Sequence, residues 1–178
     1  MTIIENHRTS DESAGSSPAW NAVHTRSAAL REIVRLLDAG EPLPWDAATA
    51  VVFRDRDDLL QALHELWSRR LNGRVDVALE TDDHPLEESV ARAWLETVDD
   101  LPGVRRVLDE HADEPALRQL ERAQHRAVAV AAGLATFADP IAHSATAGAQ
   151  FVESLRGRTP YWLRRPSLLR RLVNALTG

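Results

Sequence analysis

Apolar residues return along this chain at steps of three and four, and almost nowhere do they alternate. Val23, Ser27, Leu30, Val34 and Leu37 are spaced by 4, 3, 4 and 3. Leu60, Leu63, Trp67 and Leu71 keep helical spacing, as do Leu86, Val90, Trp94 and Val98, then Ile141, Ala145, Gly148, Val152 and Leu155. A helix returns to one face every 3.6 residues, whereas a strand needs a period of two. The fold class expected is therefore all-α, a single-domain helical bundle with a basic amphipathic C-terminal helix.

Punctuation agrees with the periodicity. Ser17-Pro18 offers an N-cap and a proline at the first helical position, and Gly40 offers a stop. Asp55 can cap the next long helix, with Asp57 and Asp58 in its first turn, where negative charge meets the helix dipole. Asn72-Gly73 is a hairpin signal, but "ELWSRRL" before it does not alternate. One helix is therefore expected through Gly73 to Leu79. Pro85 opens another helix, "LPG" (Leu101 to Gly103) closes it, and Val104 to His111 forms a short one. Asp113-Glu114-Pro115 starts a helix expected to run to Ala138, and Asp139-Pro140 opens the last of the body. Trp45 to Val52 is a short helix at best. Residues 1–17, polar and without period, are expected to be a disordered leader, 18–157 the bundle and 158–178 a basic tail.

Composition enters through what it excludes. All 21 basic residues are arginine, so lysine-based phosphate loops and Schiff bases are impossible. No cysteine is present, which removes disulfides and thiolate chemistry. No apolar run reaches the ~18 residues a membrane span needs, and residues 1–17 lack signal-peptide character, so a cytoplasmic location is expected. Residues 1–153 carry 15 arginines against 27 acids, while 154–178 carry six arginines and no acid. An acidic body argues against specific nucleic-acid binding, because phosphate contacts supply most of that affinity.

The register of Phe53-Arg54-Asp55-Arg56-Asp57-Asp58-Leu59-Leu60 resembles a junction in tetracycline-repressor-type (TetR) regulators, where a DNA-reading head meets the ligand-binding body. Thr25 to Gly40 is similar to that family's opening helix, and Leu101 to Glu110 to a short segment in the middle of its body. The resemblance implies a ligand-binding helical body whose last two long helices make a four-helix dimer interface. The reading head does not carry over. A helix-turn-helix needs two helices and a short turn, and residues 41–52 hold two prolines, no glycine and no basic residue.

Candidate residues follow from both readings. His64, Trp67, Trp94 and Phe137 are pocket candidates, since aromatic side chains with a few polar groups line sites in helical bodies. Each aromatic also fits an ordinary core. Ile141, Ala145, Gly148 and Val152 are candidates for a dimer interface, with an intrachain contact equally compatible. Glu121/His125 and Asp139/His143 lie four apart, not at the Glu-x-x-His spacing of bundle metal sites, and read as surface ion pairs. No metal, cofactor or catalytic residue is expected. In the tail, Trp162, Arg164, Arg165, Arg170 and Arg171 accompany an apolar face of Leu168, Leu169, Leu172, Val173 and Leu176. Such a segment docks on its own body, on a partner or peripherally on an anionic membrane.

The expected function is a non-enzymatic, ligand- or partner-binding, regulatory-type protein, a homodimer without a DNA-reading head. The expected partner is a small apolar ligand or another protein. The alternative is an adaptor acting through the basic C-terminal helix, and an enzyme of unknown chemistry stands third.

Overall fold

A computed structural model describes residues 18–81 and 83–156. Among the described residues there are seven helices and no strands: α1 (Pro18–Asp38), α2 (Ala47–Val52), α3 (Arg56–Thr81), α4 (Leu86–Asp100), α5 (Pro102–Glu110), α6 (Pro115–Ala131) and α7 (Ile141–Leu155). The protein is all-α, as its periodicity requires.

Helix α3 is the axis. Between its first turn and its middle it buries Leu59, Leu60, Leu63, Trp67 and Leu71 completely. Against them pack Val90 and Trp94 of α4, Val104, Val107 and Leu108 of α5, and Leu117 of α6, all in one core. Each such side chain, fully buried, stabilises the fold by roughly 1.5–3 kcal/mol. The entry to α3 is fixed by its charges. Asp55 accepts the Asp58 N–H at 2.7 Å, and Asp58 in turn accepts the Arg54 N–H at 3.0 Å. Arg26 of α1 grips both oxygens of Asp58, at 3.1 and 2.9 Å, and lies 4.5 Å over the ring of Phe53. Phe53 is itself fully buried. The aromatic-plus-acid stretch is thus a clamp between α1 and α3.

Helix α1 ends at a Schellman turn: Gly40, at φ +89°, donates to the Leu37 carbonyl, and Glu41 donates to that of Leu36. Arg106 of α5 donates to the carbonyls of Leu37 and Glu41, which ties α5 to the turn that ends α1. Gly103, beside them, lies so close to the main chain of Leu37 and Asp38 that a β-carbon would collide with it.

Several expectations change. Helix α6 stops at Ala131, not Ala138, because Gly133 takes φ +73° and closes a second Schellman turn, Leu134 donating to Ala129. Phe137 therefore leaves the helix for the loop before α7 and is 82% exposed. In α3 the inward stripe ends at Val75, with Val77 and Leu79 exposed. In α1, Val23 is exposed while Ile33 joins the core. Helix α5 also starts two residues early, with Pro102 in its first turn.

Candidate functional site

Where α3, α4, α5 and α6 meet, the core turns polar. Arg105, on the inner face of α5, is only 7% exposed, and its Nη2 donates to Glu121 of α6 at 3.1 Å and to Asp109 at 2.9 Å. The guanidinium lies 5.1 Å from the ring centre of Trp67 and 5.9 Å from that of Trp94. The two indoles meet edge to face at 5.2 Å. Arg105 Nε and Nη1 are buried without a hydrogen-bond acceptor, so the indole π-faces are what the cation has on that side. Glu121, equally buried, also faces two imidazoles, His64 Nε2 at 3.9 Å and His125 Nε2 at 3.7 Å. Ser68 Oγ lies 3.3 Å from His64 Nδ1.

Burial holds both imidazoles below the ordinary histidine range. It outweighs the pull of Glu121 toward protonation, and the Arg105 charge pushes the same way as burial. Both rings are neutral at neutral pH, so the cluster carries one Arg105–Glu121 ion pair rather than a charged triad. The sign of the pH response follows. The unfolded chain binds protons near pH 6.5, before the folded chain does, so stability present above that pH falls as the medium is acidified. The thermal midpoint is expected to drop between pH 7.5 and 5.5, and His64→Gln/His125→Gln should flatten that drop. An unchanged pH dependence in the double variant would contradict it.

A cleft of about 280 Å³ opens onto this cluster between α4, α5, α6 and α7. Trp94, Arg105, Glu121, His125 and Val152 contribute to its wall. Arg156, just past α7, bonds Asp109 at 2.7 Å, and both residues line the cleft. The lining holds Arg105, Arg118, Arg122 and Arg156 against Asp109, Asp113 and Glu121, an excess of one positive charge. Among the described residues no group of three or more His, Asp or Glu is arranged to hold a metal ion. No described helix is long and apolar enough to cross a membrane.

Of the pocket candidates, His64, Trp67 and Trp94 come together here. Only Trp94 lines the cleft; His64 and Trp67 stand behind it, buried. Phe137 does not join them, since its loop is turned to solvent and its carbonyl accepts from Arg126. Glu121 and His125 do not form a surface pair: Glu121 is 7% exposed and belongs to the cluster. Arg105 was the residue missed. Its signal is its position, since Leu101, Arg105 and Leu108 fall at helical spacing on a buried face.

Of the interface candidates, Ala145, Gly148 and Val152 are buried within the chain, while Ile141 is 62% exposed. A β-carbon on Gly148 would land on the His125 carbonyl, so α7 presses directly on the main chain of α6. The small-residue stripe is an intrachain contact, and those three residues are not available to a second copy. The tail candidates Trp162, Arg164, Arg165, Arg170 and Arg171 lie outside the described residues. No protein-family model, curated protein sequence or solved structure matches the chain.

Proposed function

We propose that this chain is a ligand-responsive helical protein of regulatory type, which takes a small anionic molecule into the cleft between α4 and α7. The observation that carries the reading is the buried Arg105–Glu121 pair, stacked on two indoles and reached by a cleft rather than sealed in the core. Taking both charges out of water costs several kcal/mol per ion, and an apolar pair of the same shape would often serve stability as well or better. Convergent polar groups beside an aromatic wall are the usual form of a small-molecule site. The excess of arginine in the lining favours an anion, whereas the aromatic candidates alone suggested an apolar ligand. A molecule bound there touches four helices at once, so differential binding can shift their packing. The resemblance to the ligand-binding body of tetracycline-repressor-type regulators supports the same reading. Reading of DNA is not part of it, because α2 has only six residues and no arginine lies between Arg35 and Arg54.

A charge series of one shape tests the proposal. Benzoate, benzamide and benzamidine are titrated into the full chain while the thermal midpoint is followed. Ligands that bind only the folded state raise the midpoint with concentration. Benzoate is expected to do so with saturation, benzamide more weakly and benzamidine least. Absence of a saturable rise with any of the three would contradict a small-molecule cleft, and a rise with benzamidine alone would contradict its anion preference.

A further inference from the structure

Large apolar side chains stand exposed at one end of the bundle. Leu79 lies in the last turn of α3, Leu86 opens α4, and Leu134 follows the turn that ends α6. Phe137 and Ile141 then lead into α7. These five are between 38% and 82% exposed. A β-carbon on Gly133 would stand 3.5 Å from Leu86 Cδ1, so the start of α4 and the end of α6 meet there. Chains rarely gather such side chains in one place without something to cover them.

The same end is acidic. From Val75 to Ala91 the chain has six acids and no arginine. Glu80, Asp83 and Glu87 are exposed, and none of them is ion-paired to a described residue. Arg126 donates to the Phe137 carbonyl at 3.2 Å and leaves these carboxylates open.

We infer that this end of the bundle is the docking site of the chain's own segment 158–178, whose apolar face covers Leu86, Phe137 and Ile141. Pattern, charge and reach together pick that occupant. At 3.6 residues per turn, Leu168, Leu169, Leu172, Val173 and Leu176 share one face, with Arg170 and Arg171 on its two flanks. Residues 157–178 hold five arginines and no acid, which matches the open carboxylates. The segment begins beyond Arg156, held to Asp109 at 2.7 Å, at the far end of α7 from Ile141. The 15 residues of α7 measure about 22 Å, and the nine residues 157–165 can extend to ~30 Å. A tethered segment also meets its site at an effective concentration near the millimolar range, which a free partner rarely matches. A second copy in a two-fold contact would instead set the same open acids face to face. An anionic membrane would meet the same repulsion at this surface.

The chain has no cysteine, so a reporter pair can be placed without background. The full chain carrying Phe137→Cys/Leu172→Cys is oxidised mildly with copper–phenanthroline at low protein concentration, and disulfides are read by mass spectrometry of the digest. The control is Asp57→Cys/Leu172→Cys. Asp57 follows Arg56, which contacts His111 at the end of the bundle where the segment begins, so an undocked segment would reach it at least as readily. Both body positions are exposed, and their replacement leaves the core intact. The Phe137 pair is expected to close within one chain at least tenfold faster than the control. Adding Arg170→Glu/Arg171→Glu should slow it several-fold. Equal rates in the two pairs would overturn the inference, as would a Phe137 pair whose rate ignores the arginine substitutions. A Phe137 pair that forms mainly covalent dimers would overturn it in favour of a second copy. Equal rates combined with uptake of the full chain on anionic vesicles would overturn it in favour of a membrane.

Discussion

Arg105→Ala is expected to lower folding stability by about 3–5 kcal/mol, because removing one partner of a buried ion pair leaves the other charge uncompensated. Glu121, 7% exposed, would keep only two imidazoles that burial holds neutral. The guanidinium's contact with Trp67 and Trp94 is lost as well. Urea denaturation followed by circular dichroism reads the change as a shift in midpoint at constant slope. Two further results separate this cause from simple loss of volume. Because the Arg105 charge helps to hold His64 and His125 below the ordinary range, both rings should titrate at higher pH in the variant. Replacing both partners, as Arg105→Met/Glu121→Leu, should recover most of the loss, since no buried charge remains unpaired. A single-substitution loss under about 1 kcal/mol would mean that water entering through the cleft compensates Glu121 freely.

Gly148→Ala and Gly73→Ala, the same change in two helices, are expected to move stability in opposite directions. At Gly148 the new methyl meets the His125 main chain, which cannot step aside as a side-chain tip would. Helix α7 must lift from α6, at the upper end of the ~1–3 kcal/mol that overpacking costs. Because His125 also lines the cleft, its ring should move with the backbone. At Gly73 the methyl meets none of the described residues within 4 Å, and the unfolded chain loses freedom, so stability should rise by about 0.4–1 kcal/mol. Equal effects at the two positions would contradict it.

The helices were legible in the sequence because their signals are local. Leu60, Leu63, Trp67 and Leu71 declare one face of α3 by spacing alone, and Asp55 or Pro115 mark helix starts through their own chemistry. Where two local signals competed, the reading slipped. The apolar run Ala127 to Ala138 hid Gly133, whose positive φ ends α6 and carries Phe137 out to solvent. The stripe Ala145, Gly148 and Val152 announces a close helix approach but not whose helix approaches, because an intrachain and a two-fold contact ask for the same small residues. The polar cluster was only half visible. His64, Trp67 and Trp94 are brought together by α3 and α4, adjacent in the chain. Arg105, Glu121 and His125 join them only through the packing of α5 and α6, which no spacing within one helix encodes. Glu121 and His125, four apart, look the same from sequence whether their shared face meets water or Arg105.

The most direct test of the account is ligand binding by the double variant Arg105→Met/Glu121→Leu, in which the charged pair is gone and the fold is kept. Benzoate is titrated into parent and variant under identical conditions, after circular dichroism has established that both are folded. The account predicts a saturable rise in thermal midpoint for the parent and none for the variant at the same concentrations. An equal rise in the two proteins would contradict it, and would leave Arg105 and Glu121 as parts of the core alone.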